Sequence, residues 1–226
     1  MIKRKDLLGL VDASAEEICE ILDTAANMKR LLRQGIKKLP HLEGCTATIL
    51  FYENSTRTRT SFELAAKYMG ATTINIAASS SSVAKGETLI DTGKTLDAMK
   101  NDFIIIRHPM GGAPYLLART VKAGVINAGD GMNEHPTQAL LDLCTMREKF
   151  GRIEGLKVAI LGDIKHSRVA KSNLFALAKL GAEVRMYAPE TLIPKGIDRL
   201  GAKLCTSREE AVEGADVVMG LRIQLE

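Results

Sequence analysis

The run Thr46-Ala47-Thr48-Ile49-Leu50-Phe51-Tyr52 is followed closely by Ser55-Thr56-Arg57-Thr58-Arg59. The first run is apolar and β-branched, which is typical of a buried strand, and the pattern after it predicts a helix over 58–69. A strand that passes through a tight loop into a helix directs the helix N-terminus and its backbone N–H groups at one place. Together with the hydroxyl and guanidinium groups, these donors favour an anion, and phosphate fits best.

A plainer interpretation of residues 55–59 is a helix cap with solvated arginines, but the doubled hydroxyl–arginine pattern directly after a strand favours an anion site. Arg57 and Arg59 lie two residues apart, so they point in different directions within the first helical turn. We expect Arg57, which is nearer the helix N-terminus, to face the anion. Arg59 is expected to form a structural ion pair, with Glu87 as the candidate partner.

Strand and helix signals alternate along the chain, after an N-terminal helix that opens with a capping box of Ser14 and Glu17. The predicted strands are 46–52, 72–77, 102–107, 124–128, 157–161, 183–187, 203–205 and 216–221. The predicted helices are 58–69, 87–99, 112–120, 140–150, 169–180 and 194–200. Such alternation predicts the α/β class, with two doubly wound parallel-sheet domains. We expect a first domain over 1–134, a linking helix over 135–150 and a second domain over 151–226.

Composition narrows the class of protein. The chain has 226 residues, of which 46% are hydrophobic and 26% charged, and no apolar run approaches the ~20 residues of a membrane span. The N-terminus does not resemble a secretory signal. Four scattered cysteines without a Cys-x-x-Cys pair indicate free thiols of a cytoplasmic protein and no metal site. With 4% aromatic residues, a net charge of +4 fits anionic substrates better than nucleic acid.

Polar residues follow most of the predicted strands, at the edge where parallel sheets bind ligands. These segments are 55–59, 79–85, Arg107-His108, 133–138 and 163–168. They contain hydroxyls, arginines, lysines, histidines and a glutamine, whereas carboxylates are sparse. The sequence therefore predicts a cationic site built mainly from hydrogen-bond donors.

The segment His135-Pro136-Thr137-Gln138 has the form of a helix start, with Pro136 suited to the first helical position. A lone histidine is usually no more than a satisfied polar residue. Here Gln138 follows three residues after His135, on the same helical face. A neutral imidazole can donate to a carbonyl oxygen, and a carboxamide can accept from an NH2 group. This pair suits a carbamoyl group.

Six blocks of the chain, taken in order, resemble the aspartate/ornithine carbamoyltransferase family. The blocks are Ser55-Thr56-Arg57-Thr58-Arg59, Ser81…Lys85-Gly86-Glu87, Arg107-His108-Pro109, His135-Pro136-Thr137-Gln138, Asp163…His166-Ser167-Arg168 and Arg222-Ile223-Gln224. The last two blocks are similar to the aspartate-specific branch. The ornithine branch instead uses an aspartate and a Ser-Met-Gly segment that this chain lacks after Arg168. The resemblance implies transfer of the carbamoyl group of carbamoyl phosphate to L-aspartate, in de novo pyrimidine biosynthesis, without a metal or cofactor.

The same resemblance implies roles for individual residues. The phosphate would be held by Ser55, Thr56, Arg57 and Thr58, and Lys85 would meet its growing charge as it departs. The carbonyl would be polarised by Arg107, His135 and Thr58, and the amide held by Gln138. The aspartate carboxylates would be bound by Arg168, Arg222 and Gln224. In this family Ser81 and Lys85 come from a neighbouring subunit, which implies a homotrimer with shared active sites; regulatory chains are a candidate further partner.

The chain ends at Glu226, directly after the block that contains Gln224. Members of the family continue through further strands and helices, so we expect a C-terminally truncated chain with an incomplete second domain. Two alternatives to the main function stay open. One is a truncated, inactive homologue that acts as a carbamoyl phosphate-binding or assembly module, and the lesser one is an ornithine carbamoyltransferase.

Overall fold

A computed structural model describes residues 4–77 and 86–222 of the chain. These residues fall into two compact units. Of the described residues, the N-terminal unit contains 4–8, 26–77 and 86–131, and the C-terminal unit contains 9–25 and 132–222. The first helix, α1 (Ala15–Arg33), contributes residues to both. Its start has the predicted capping box, because Ser14 and Glu17 exchange hydrogen bonds of 3.0 and 3.2 Å.

The N-terminal unit is built on a four-stranded parallel sheet of order β2-β1-β3-β4. Its strands are β1 (Thr46–Phe51), β2 (Thr72–Ala77), β3 (Phe103–His108) and β4 (Gly124–Asp130), and its further helices are α2 (Thr56–Tyr68), α3 (Leu89–Ala98) and α4 (Ala113–Ala118). Neighbouring residues of β1 belong to two different hydrophobic clusters. Leu50 packs with Leu96 of α3 and Leu117 of α4, whereas Ile49 packs with Ala66 of α2. Because successive side chains of a strand point to opposite faces, helices cover both faces of this sheet.

The C-terminal unit repeats this plan with a four-stranded parallel sheet of order β7-β6-β5-β8. The strands are β5 (Lys157–Leu161), β6 (Glu183–Tyr187), β7 (Ala202–Leu204) and β8 (Val217–Gly220), and the helices are α5 (Pro136–Phe150), α6 (Arg168–Lys179) and α7 (Arg208–Val212). The central residues of β5, Val158, Ala159 and Ile160, are completely buried. None of the helices within 4–77 and 86–222 combines the length and the apolar character needed to cross a membrane.

The predicted fold class, two parallel-sheet α/β domains, is confirmed. The strands predicted at 72–77, 157–161 and 183–187 have those bounds in the structure. The helical stretch predicted over 194–200 is instead a single 3₁₀ turn, Ile197–Leu200, flanked by Gly196 and Gly201 in the left-handed conformation. Glycine in that conformation commonly ends a helix, so the turn is not extended on either side.

Candidate functional site

The start of α2 presents hydrogen-bond donors at the carboxyl end of β1. Ser55 is the N-cap residue in an extended conformation, with φ −156° and ψ 97°, and within the described residues its side chain makes no capping hydrogen bond. The first N–H groups of a helix have no partner within the helix. Since the Ser55 side chain does not cap them, they can meet an anion.

A cavity of about 270 Å³ lies beside this helix start. It is lined by Phe51, Tyr52, Glu53, Asn54, Ser55, Thr56, Arg59 and Ala77. The structure therefore brings Ser55 and Thr56 together with Arg59, the arginine that the sequence assigned to an ion pair. Arg57 is exposed and Thr58 is half-buried on the same helix. The pairing of Arg59 with Glu87 stays a prediction.

Arg107 lies near the end of β3 and is held by Glu53. Its Nε donates to Glu53 Oε2 at 2.8 Å, and the two side chains are only 14% and 25% exposed. One of its terminal nitrogens also donates to the carbonyl of Ala128 at 3.3 Å. These contacts fix the guanidinium at the carboxyl end of the sheet. Glu53 was missed by the sequence analysis, although a carboxylate directly before a donor-rich motif was a visible signal.

His108, the next residue of β3, packs against Tyr52 and accepts a backbone hydrogen bond, which indicates a structural role. Its ring lies 4.5 Å from that of Tyr52, centroid to centroid. Nδ1 accepts a hydrogen bond from the Met110 N–H at 3.0 Å, a contact that requires an unprotonated Nδ1. Burial lowers the pKa of His108 and raises the pKa of the Tyr52 phenol. Both side chains are therefore neutral at neutral pH.

In the C-terminal unit, His135 is the N-cap residue of α5 and is anchored by its backbone. The His135 N–H donates to Ser172 Oγ at 2.9 Å, and that hydroxyl donates to Glu134 Oε2 at 2.9 Å. Glu134, which is 1% exposed, also accepts from the Leu10 N–H at 2.7 Å. The imidazole is 7% exposed, with Nδ1 3.4 Å from Thr137 Oγ1. The start of α5 is thus fixed by a buried polar chain.

Gln138 lies in the first turn of α5 and contacts a carboxylate one turn further on. Its Nε2 donates to Asp142 Oδ1 at 3.0 Å. The other oxygen of Asp142 accepts from Asn173 Nδ2 at 2.8 Å, which connects α5 to α6. Burial raises the pKa of the Asp142 carboxyl.

The two described arginines that were predicted to bind the aspartate carboxylates lie at different places in the C-terminal unit. Arg168 is the first residue of α6, after a loop in which buried Asp163 contacts His166 Nδ1 at 2.9 Å. Arg222 is exposed, just after β8. Ser81, Lys85 and Gln224 lie outside the described residues. Among residues 4–77 and 86–222, no group of three or more His, Cys, Asp or Glu side chains could hold a metal ion.

Family comparisons agree with this organisation. The sequence model for the carbamoyl-P binding domain of aspartate/ornithine carbamoyltransferases matches residues 5–148, and the model for their Asp/Orn binding domain matches residues 154–225. The aspartate carbamoyltransferase catalytic subunit of Ruminiclostridium cellulolyticum is 64% identical over 225 residues, which cover 100% of this chain and 72% of the relative. The corresponding subunit of Acetivibrio thermocellus is 63% identical over 226 residues, with the same coverage.

Two solved structures are similar to the whole described fold. Aspartate transcarbamoylase from Trypanosoma cruzi, in complex with carbamoyl phosphate and aspartate, matches with a TM-score of 0.89 and 31% identity, over 97% of this chain and 73% of that chain. The catalytic subunit of M. jannaschii aspartate transcarbamoylase matches with a TM-score of 0.87 and 41% identity, over 98% of this chain and 74% of that chain.

Proposed function

The chain belongs to the aspartate/ornithine carbamoyltransferase family, and from this we propose that it transfers the carbamoyl group of carbamoyl phosphate to the amino group of L-aspartate. The products are N-carbamoyl-L-aspartate and phosphate, in pyrimidine biosynthesis. The observation that carries the proposal is the match, at a TM-score of 0.89, to a structure that holds both substrates. Relatives at 63 and 64% identity are named as catalytic subunits of the same enzyme.

We assign the phosphate to the start of α2. Ser55, Thr56, Arg57 and Thr58 would hold it, together with Lys85. Support comes from the start of α2, where the N-cap residue Ser55 makes no side-chain capping hydrogen bond within the described residues, and from the cavity beside it. Arg59 lines that cavity and adds a positive charge. Unpaired N–H groups and guanidinium groups are the donors that phosphate prefers.

We assign the carbonyl to Arg107, His135 and Thr58, and the amide to Gln138. The Arg107 guanidinium donates to Glu53 at 2.8 Å, and the His135 backbone is anchored to Ser172 at 2.9 Å, with its imidazole Nδ1 3.4 Å from Thr137 Oγ1. Donors held in this way need little reorganisation when charge develops on the carbonyl oxygen, which is the condition for electrostatic catalysis.

The reaction then needs positioning and electrostatic stabilisation. The neutral amine of aspartate attacks the carbonyl carbon, and a tetrahedral oxyanion forms opposite the three donors. The bond to the bridging oxygen breaks, its electron pair leaves with phosphate, and the departing phosphate takes the amine proton. Holding two reactants in the right geometry supplies much of the acceleration. Arg57 and Lys85 would meet the growing charge of the leaving group.

Aspartate has two carboxylates, and we assign these to Arg168, Arg222 and Gln224. Guanidinium groups match a carboxylate with two parallel hydrogen bonds. We further propose a cytoplasmic homotrimer in which Ser81 and Lys85 complete the site of a neighbouring subunit. Regulatory chains are a further candidate partner.

The proposal is tested with the purified chain by measuring N-carbamoyl-L-aspartate formation beside calorimetric binding of carbamoyl phosphate. We expect product with L-aspartate and none with L-ornithine as the acceptor. His135→Ala should lower turnover by about a hundred- to a thousandfold, the cost of one donor to an oxyanion. Binding without turnover would favour the inactive binding module, and absence of binding would refute the assignment altogether.

A further inference from the structure

We propose that Asp142 is a positioning residue that fixes the orientation of the Gln138 carboxamide, an inference that rests on the proposed function. The two residues lie one helical turn apart on α5, so their side chains share a face. Gln138 Nε2 donates to Asp142 Oδ1 at 3.0 Å. An ionised carboxylate only accepts hydrogen bonds, so it selects the NH2 end of the carboxamide and not the oxygen end.

This selection decides what Gln138 can offer a substrate. Once its NH2 group is held by Asp142, the oxygen end is directed away from the carboxylate. Within residues 4–77 and 86–222, Gln138 Oε1 accepts no hydrogen bond. An amide oxygen is the acceptor that the NH2 group of a carbamoyl substrate requires. With the carboxamide rotated by 180°, an NH2 group would instead face the substrate's NH2 group.

The carboxylate of Asp142 is itself held in place. Its Oδ2 accepts from Asn173 Nδ2 at 2.8 Å, and the same nitrogen donates to the Val169 carbonyl at 3.1 Å. Asn173 is fully buried, so this side of the carboxylate is fixed by the packing of α6. Both oxygens of Asp142 therefore have a donor, one from each helix, which offsets part of the cost of burying the charge.

A second explanation for these contacts is that Asp142 only stabilises the packing of α5 against α6. The two roles differ in what they predict for acetyl phosphate, which has a methyl group where carbamoyl phosphate has NH2. A tie between helices supports the binding of both ligands equally. An orienting residue supports only the ligand whose NH2 group donates to Gln138 Oε1.

The experiment compares the dissociation constants of carbamoyl phosphate and acetyl phosphate, measured by calorimetry on folded protein. In Asp142→Asn the new side chain has its own NH2 group and no longer selects one end of the Gln138 carboxamide. We expect the preference for carbamoyl phosphate to fall by about tenfold, the value of one hydrogen bond at the upper part of its usual range. Glu148→Gln removes an exposed carboxylate from the same helix and should leave the preference unchanged.

In a Gln138→Ala background, Asp142→Asn should no longer change the preference, because its effect passes through Gln138. A folded Asp142→Asn protein that loses affinity for both ligands by the same factor would overturn the inference. If that variant does not fold, Asn173→Ala replaces it and should lower the preference by about threefold; an unchanged preference would then overturn it. Failure of the unaltered chain to bind carbamoyl phosphate would instead refute the proposed function.

Discussion

Replacement of Glu53 by glutamine should lower turnover without weakening the binding of carbamoyl phosphate. Glu53 accepts from Arg107 Nε at 2.8 Å in a pair whose side chains are 25% and 14% exposed. A hydrogen bond to a charged group contributes about 1.5–3 kcal/mol, and glutamine keeps an acceptor but not the charge. We therefore expect the interaction that orients Arg107 to become weaker by about 1–1.5 kcal/mol. If this free energy is lost from the transition state, kcat falls by about tenfold.

Glu53→Gln should not weaken the binding of carbamoyl phosphate, although it lowers kcat. Glu53 also lines the cavity beside the helix start, where the phosphate is assigned. Removing a negative charge there makes the cavity more favourable for an anion. The dissociation constant of carbamoyl phosphate should therefore stay the same or decrease while kcat falls. Such a split separates orientation of Arg107 from a general loss of structure.

Glu63→Gln is the matched control for this prediction. Glu63 forms an ion pair with Lys67 at 2.6 Å on the same unit, but its partner is 53% exposed. Exposed pairs contribute little, about 0.2–1 kcal/mol, because water and salt screen them. In steady-state kinetics, the kcat of Glu63→Gln should be close to that of the unaltered chain. An equal effect of the two substitutions, or a Glu53→Gln protein with unchanged kcat, would refute the assignment of Glu53 as the group that orients Arg107.

Three further predictions concern stability. Ser172→Ala should cost about 1–3 kcal/mol, because it leaves the buried Glu134 carboxylate and a backbone N–H short of a partner; an unchanged melting temperature would contradict this. Since burial lowers the pKa of His108, the unfolded chain takes up the proton first, and the free energy of unfolding should decrease as the pH falls below about 6.5. Denaturant titrations at several pH values should show a smaller decrease for His108→Asn, and equal slopes would count against it. Gly131→Ala should cost more than Gly35→Ala, since both have positive φ but only at Gly131 would a Cβ lie 2.6 Å from a backbone oxygen. Equal costs in chemical denaturation would show that the close contact relaxes.

The fold was predictable because its strands are marked by local pattern. The core residues of β5, Val158 to Ile160, form a short apolar run between turn signals, and such runs need no long-range information. The start of α2 was less well marked: the helix begins at Thr56, two residues before the predicted start. Hydroxyl and arginine side chains give no apolar periodicity, so the first helical turn resembled a loop.

Which of Arg57 and Arg59 lines the cavity could not be predicted from the sequence for a different reason, and the assignment of Arg57 to the anion stays a prediction. Spacing shows that the two arginines diverge, but which one lines the cavity depends on how α2 is rotated against the sheet. That rotation is set by packing of Ala66 against β1, ten or more residues away in sequence. Contacts such as His135 to Ser172, 37 residues apart, depend on the tertiary structure in the same way.

Two carboxylates near the assigned residues, Glu53 and Asp142, share one role: each orients a side chain that is proposed to bind substrate. Both proposed substrates are anions, so a carboxylate that faced them would oppose binding. Glu53 lines the cavity but is paired with Arg107, and Asp142 is hydrogen-bonded to Gln138, at 2.8 and 3.0 Å respectively. In each pair the negative charge fixes the direction of its partner, so that a guanidinium nitrogen of Arg107 and the carboxamide oxygen of Gln138 are the groups left to meet the substrate. Glu53→Gln should therefore lower kcat, and Asp142→Asn should lower the preference for carbamoyl phosphate over acetyl phosphate, each more than it changes the affinity for phosphate. Loss of a residue that itself contacts the substrate should instead lower both the turnover and the affinity.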